Sequence, residues 1–412
     1  MAALNLRVDI GLRVEIHFMT SFGNKVPQCG RQEALYVNAR TPRTQTEALA
    51  LVRRRVRSTL AHVTREGIFP HAAPSATGEW SGTREGNWTS GFWAGLLWYE
   101  AALSGDGHDV DLATAWSLRL APQVDRKTHD IGFVFANSAV LGAEIGRVAA
   151  CRDLALRAAD TLAGMFHPAA GAIPVGAQAE VAAGLDDVTI DCMVNLPLLW
   201  WAWKAAGEER YLRVALSHAD RTARWHVKPD GRIIQSVHFH PETGEAVREE
   251  THQGSGTQGC WTRGQAWGVY GFAEAYRTTG QQRFLEIADR TAGYYFARAG
   301  ADLVPFYCFD DPAIPHVPRD SSAAAITAAG LLVLAEHATE VTVRTRCLDR
   351  ADALLSALVT GYLTPQSEAD HRPPGMLPHS CYNLKAGWDT DHEIVWGDFF
   401  LLKSLYTRAR LS

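Results

Sequence analysis

The stretch TRGQAWGVYGFAEAYRT (262–278), followed by QQRFLEIADRTAGYYFAR (281–298), decides the fold. The first segment is rich in Ala, Gly and aromatics nearly all round and short of charge, and a helix apolar on every face is buried. The second carries Arg and acidic residues on one face, as a solvent-facing helix does. Gly280 stands between them as a stop signal. Working outward, the same alternation repeats along the chain. Segments apolar all round start near 90, 131, 188, 262, 321 and 397, and amphipathic ones start near 46, 110, 151, 209, 281 and 343. In the earliest amphipathic segment, Ala48, Leu49, Leu51, Val52, Val56, Leu60 and Val63 form a stripe at period 3.6. Two of the apolar segments are expected as single helices, over about 131–148 and 188–206.

Six buried helices alternating with six amphipathic ones describe an inner ring inside an outer ring, an all-α (α/α)6 barrel. An open α-solenoid of helix pairs is the competing architecture. Between 230 and 250 the pattern changes to GRIIQSVHFHPETGE (231–245), which alternates apolar and polar with a turn at Pro241–Gly244; it predicts a small β excursion over one end. Residues 1–40 show no usable period and are expected to be an N-terminal extension, ahead of a single domain over 41–412.

The 412-residue chain is 47% hydrophobic and 21% charged, enough for a sizeable core and unlike a disordered sequence. Its 40 Lys+Arg and 45 Asp+Glu leave a net charge of −5, with no electrostatic footprint for nucleic acid or an anionic membrane. The longest strongly apolar stretch, Val194 to Trp203, is half the ~20 residues a membrane-spanning helix needs. Arg7, Asp9, Arg13 and Glu15 interrupt the start, which lacks the apolar run of a secretory signal. Seven cysteines without a CxxC pair read as reduced thiols in a cytoplasmic protein. The 13 tryptophans either stack on sugar rings or fill the core, and composition does not separate the two.

Polar or aromatic clusters fall at the start of each buried segment: Asn87 to Gly91, Thr128-His129-Asp130, Thr189-Ile190-Asp191, Cys260 to Gln265, Arg319 to Ser322, and Trp396-Gly397-Asp398. If the inner helices run parallel, these starts meet at one mouth of the barrel. Their unpaired N–H groups and positive dipole ends would then favour an anionic ligand. Arg263 adds a guanidinium fork suited to a carboxylate, and as an interior cation it needs an anionic partner from protein or ligand. Asp130, Asp191, Asp320 and Asp398 each read singly as helix N-caps. Asp191 has less capping to do if its helix begins near Asp186-Asp187, and burial would then raise its pKa toward general-acid use. Should Pro197 make the helix restart near Leu196, Asp191 lies in a loop instead. His238 and His240 alternate on a strand but lack a third ligand, so no metal site is expected. There is no convincing GxSxG, P-loop or dinucleotide fingerprint, and Gln253 to Thr257 form a flexible loop rather than a phosphate cradle.

The strings THDIGFVF (128–135), VTIDCMVNLPLLWWA (188–202), HPETGE (240–245), THQG (251–254), CWTRGQAWGVYGFAEAY (260–276) and DSSAAAITAAGLLVL (320–334) resemble the unsaturated glucuronyl hydrolases, glycoside hydrolase family 88, in order and from about residue 45 onward. That resemblance implies an (α/α)6 barrel and a substrate class: lyase-generated oligosaccharides bearing a 4,5-unsaturated uronic acid at the non-reducing end. It implies no metal or organic cofactor. It also implies a route unlike the two-carboxylate displacement at an anomeric carbon: an acid protonates C4 of the enol ether while water adds at C5, and the hemiketal opens and sheds the aglycone. Asp191 matches the proton donor and later base. Asp130 matches the carboxylate that holds substrate hydroxyls and influences Asp191, since two carboxylates sharing a low-dielectric site push their pKa values apart. The resemblance implies sugar contacts for Trp88, His129, Gln253, Trp261, Arg263 and Trp267.

The chain departs from the family pattern in three places. Gln235 stands where a histidine is usual before the PETG turn, with His238 three residues on. The region Ile173 to Gly176 lacks the tryptophan that usually precedes the IDC segment. Ser380 to Lys385 partly matches a Ser-x-x-Ser-x-Lys sulfate-contact motif, with Asn383 replacing the second Ser, and this makes Lys385 a candidate substrate contact. Two other functions stay open: an unsaturated rhamnogalacturonyl hydrolase, which the CWTRGQAW and HDIGF strings argue against, and a non-catalytic carbohydrate-binding barrel, disfavoured because both aspartates stand in their motifs.

Overall fold

Thr44 starts the first helix with a reciprocal capping pair: its hydroxyl accepts from the Glu47 N–H, and the Glu47 carboxylate accepts from the Thr44 N–H. In the computed structural model the described residues are 44–179, 187–256, 258–363 and 371–411. The expected extension over 1–40, Asp186 and Thr257 lie outside them. In chain order the helices alternate between an outer and an inner ring. They are α1 (Gln45–Glu66) with α2 (Ser90–Ser104), α3 (Gly107–Leu118) with the short pair α4 (Ile131–Ala136) and α5 (Ala139–Glu144), and α6 (Ala149–Gly164) with α7 (Pro197–Ala206). There follow α8 (Glu209–Trp225) with α9 (Thr262–Thr279), α10 (Gln282–Arg298) with α11 (Ser321–His337), and α12 (Val341–Gly361) with α13 (Val395–Arg410).

Burial follows the sequence pattern. In α9 every residue from Thr262 to Tyr276 is buried, and in α11 every residue from Ser321 to Ala335. In α1 only one stripe is: Ala48, Leu51, Val52, Arg55, Val56, Thr59 and Val63. The inner helices pack neighbour to neighbour, α9 on α11 and α11 on α13, and α13 returns to α2. That return closes the ring. The fold is the (α/α)6 barrel, and the open solenoid is ruled out.

Two inner segments differ from expectation. The segment 131–148 breaks at Asn137 and Ser138, because Asn137 Nδ2 donates to the Phe133 carbonyl and Ser138 Oγ to the Val134 carbonyl, drawing off acceptors of the preceding turn. The segment 188–206 is not one helix. Pro197, which has no N–H to donate, occupies the first turn of α7, and the residues before it form a separate 3-10 turn, Ile190–Val194. Asp191 therefore sits on that turn and not one turn inside a buried helix.

β1 (Phe69–Pro74) and β2 (Ser81–Thr83) pair antiparallel. The expected excursion is a three-stranded antiparallel sheet in which β3 (Asp187–Thr189), β4 (Ser236–Phe239) and β5 (Ala246–Glu250) lie side by side. Its register pairs Thr189 with Ser236 and Ser236 with Glu250, and Gly244 closes the hairpin at φ 68°. The strand at Asp187, read as helix from sequence, is what leads the chain into the 3-10 turn. β6 (His392–Ile394) pairs with the other edge of β1. Among the described residues no helix is long and apolar enough to cross a membrane.

Candidate active site

The 3-10 turn reaches its position through two close approaches. A Cβ on Gly132, in α4, would lie 2.4 Å from Asn195, and one on Gly271, in α9, would lie 2.5 Å from the Met193 side chain. Only glycine lets the turn lie so close to both helices. Asn195 then ties the motifs together, since its Oδ1 accepts from the Phe133 N–H and its Nδ2 donates to the Asp191 carbonyl at 3.2 Å. On the other side the Ile190 N–H donates to the Gln235 carbonyl at 2.9 Å. Asp130, at the start of α4, and Asp191 are thereby brought to one place.

That place is a cavity of about 390 Å3 lined by Asp130, Asp191, His129, Trp88, Gln253, Trp261, Arg263 and Trp267. Eight of the nine residues expected from sequence meet there. Lys385 does not line the cavity: it is exposed, and its Nζ donates to the His252 carbonyl at 3.3 Å. A larger hollow of about 900 Å3 beside α12, near Asp302, Arg319 and His379, contains none of the nine.

The two carboxylates are held differently. Asp130 accepts from the Thr128 hydroxyl at 2.8 Å and faces His129 Nε2 at 3.3 Å. Asp191 Oδ2 is buried with no hydrogen-bond partner among the described residues. Burial pushes the Asp191 carboxyl above the usual carboxylate range, against the opposing pull of the His129 cation, its own N–H and the Arg263 guanidinium. Asp130 adds a smaller upward push, so desolvation, more than the mutual repulsion expected of the pair, is what raises Asp191. Burial alone would depress His129, but the charge and hydrogen bond of Asp130 reverse that and hold its imidazole well above the usual histidine range. An acid with one buried, unpartnered oxygen beside an imidazolium–carboxylate pair can give up a proton and take one back.

Arg263 finds its anionic partner within the protein. Its Nη1 donates to Asp320 at 2.7 Å and to the Cys381 carbonyl at 2.6 Å, and its Nη2 to the Tyr382 carbonyl. The guanidinium lies 4.6 Å from the Trp261 ring centroid. It contributes a fixed positive field at the cavity wall, and most of its fork is already occupied. An aromatic wall runs from Trp267 to Phe133 (5.4 Å between centroids), on to Trp88 (5.4 Å) and to Trp396 behind it (5.0 Å).

The gathering of helix starts is not complete. Asp320 acts through Arg263, and Asp398 faces away from this cavity toward Arg55, Trp80 and Trp93. His238 is engaged with Glu250 at 3.0 Å and His240 caps the hairpin turn, while no group of three His, Cys, Asp or Glu side chains among the described residues is arranged to hold a metal. Sequence reasoning missed Phe133, Tyr382 and His252 as lining residues, and named Asn383 only within the partial sulfate-contact motif. Phe133 was within reach, three positions after Asp130 on the same motif. Tyr382 and Asn383 arrive on a loop from the far end of the chain, which no periodicity announces.

No protein-family model matches the chain. Among curated proteins it is 36% identical to the unsaturated glucuronyl hydrolase of Bacillus sp. strain GL1, over 83% of this chain and 91% of that one. It is 29% identical to the unsaturated chondroitin disaccharide hydrolase of Streptococcus pyogenes serotype M1, over 87% and 90%. The crystal structure of the Bacillus sp. GL1 hydrolase, described as responsible for glycosaminoglycan degradation, superposes with a TM-score of 0.81 at 33% identity, covering 88% of this chain and 96% of that one. Barrel and relatives alike define an (α/α)6 glycosidase. The chain belongs to the unsaturated glucuronyl hydrolases.

Proposed function

We propose that this enzyme releases a 4,5-unsaturated uronic acid from the non-reducing end of lyase-generated, glycosaminoglycan-type disaccharides by acid-catalysed hydration of the C4=C5 double bond. The observation that carries the reading is the buried, unpartnered Oδ2 of Asp191 in a cavity whose charged neighbours are already paired. Asp191, protonated, gives its proton to C4, and positive charge develops on C5 and the ring oxygen. Asp191, now a carboxylate, takes a proton from water as the water oxygen bonds to C5. The resulting hemiketal opens to a C5 ketone, and C1 expels the leaving sugar as its alcohol. Asp130, held by Thr128 and His129, orients the sugar hydroxyls, and the wall of Trp88 and Trp267 packs on the ring.

We also place the chain in glycoside hydrolase family 88 and in the cytoplasm. The motif strings support the family. The six cysteines among the described residues, free and buried thiols, support a reducing compartment. The test of function is direct. Incubation with unsaturated chondroitin or hyaluronan disaccharides should abolish the ultraviolet absorbance of the conjugated double bond as free sugar appears. Tight binding without that loss would instead make the barrel a carbohydrate-binding protein.

A further inference from the structure

Beside Gln253, where Gln235 and His252 also line the cavity, lies a closed set of hydrogen bonds the mechanism does not use. The Gln253 backbone N–H donates to Gln235 Oε1 at 2.9 Å. A backbone N–H can only donate, so this contact fixes which end of the Gln235 amide is oxygen. The other end, Nε2, then gives its two hydrogens to Gln253 Oε1 at 2.5 Å and to His252 Nε2 at 3.2 Å. His252 must accept at Nε2 and carries its hydrogen on Nδ1, 2.9 Å from Ser236 Oγ. Burial pushes its pKa down to about 4, so the ring stays neutral and the direction of this chain does not reverse near neutral pH.

Every hydrogen-bonding position of the Gln235 amide that these contacts define is thus spent on protein, and Gln235 is almost fully buried, 1% exposed. Gln253 is the opposite. Its carbonyl oxygen is taken, and its Nε2 has no partner among the described residues although Gln253 lines the cavity. We propose that Gln235 is a positioning residue: it clamps the carbonyl end of the Gln253 side chain so that the –NH2 end faces the cavity, making Gln253 a hydrogen-bond donor to an oxygen of the bound sugar. The inference rests on the hydrolase reading above, because it needs a sugar in this cavity.

The consequence is a binding effect transmitted through one side chain. Gln235→Glu keeps the shape and can still accept from the Gln253 N–H, but a carboxylate cannot donate to Gln253 Oε1. The Gln253 amide should turn over and present its carbonyl. Losing one donor to the sugar, in ground and transition states alike, raises KM about tenfold and changes kcat less. Gln235→Met, uncharged and of similar size, also removes the clamp and serves if the glutamate variant does not fold. The deciding measurement is a double-variant cycle on an unsaturated disaccharide, with each Gln235 substitution made alone and in a Gln253→Ala background. If Gln235 acts through Gln253, its substitution raises KM in the native background and adds nothing once Gln253 is alanine. An equal rise in both backgrounds, or a KM within about twofold of the native value for either folded single variant, overturns the clamp while leaving the hydrolase reading intact. Absence of turnover by the native protein removes both.

Discussion

Asp191 is held above the usual carboxylate range for a reason separable from its neighbours, and the separation has a measurable sign. Burial raises its pKa while the His129 cation opposes the rise. Because the proposed reaction uses the protonated acid, kcat/KM should fall as pH rises through that raised value. His129→Gln removes the opposing charge, so Asp191 should hold its proton to higher pH. The alkaline limb of the pH profile should move upward even as the absolute rate drops, and a limb that stays put or moves down contradicts the assignment. Arg263 shows what residue-scale reading of a sequence can reach. An interior arginine demands an anion, and that much was legible in the charge-poor run around it. Which anion was not, because Asp320 lies 57 positions on and reaches it only across the packed ring.

At the scale of elements, what matters is how α4 and the 3-10 turn are held together. Gly132→Ala would drive a methyl group into Asn195, whose Cα, Cβ and carbonyl oxygen all lie 2.4 Å from the site of the new carbon. Overpacking of this kind costs about 1–3 kcal/mol. It should also spread Asp130 from Asp191, so a lowered urea midpoint should come with a larger loss of turnover than variants of equal stability away from the cavity show. Asn195→Leu leaves the Phe133 N–H unpartnered and should cost about 1–3 kcal/mol in the same assay. The helices that are buried on every face were readable from composition alone. The 3-10 turn was half readable: Pro197 signalled a restart, yet the apolar run from Val188 to Trp203 has the look of a helix. What decides for strand and turn is pairing of β3 with β4, a contact between segments almost 50 residues apart that local pattern does not contain.

Over the whole molecule, the alternation of apolar and amphipathic segments gave the double ring, while closure depends on contacts between its two ends. Arg55 of α1 donates through Nε to Glu393 at 3.0 Å and through Nη2 to the Gly78 carbonyl at 2.9 Å, and Glu393 leads into α13. Asp398, read from sequence as part of the mouth, belongs to this seam. Arg55→Met leaves Glu393 buried without its cation and should lower stability by about 3–5 kcal/mol in chemical denaturation. Burial and the nearby Glu393 raise Asp398 well above the usual carboxylate range, against Arg55. A carboxyl raised on folding adds stability at low pH that is lost as pH climbs through the folded-state value. Asp398→Asn, which mimics the neutral form, should therefore lose less stability than the native protein as pH rises from the ordinary carboxylate range, about 4, through the raised folded-state value.

Proton transfer from Asp191, whose Oδ2 is buried, to the sugar double bond is the proposed first step. Its most direct test is the absorbance of that bond on incubation with the Asp191→Asn protein, checked to be folded by circular dichroism. A fall in rate of about 10²–10⁴-fold with substrate still bound is the predicted result. A folded Asp191→Asn protein that consumes the double bond at near-native rate would contradict it.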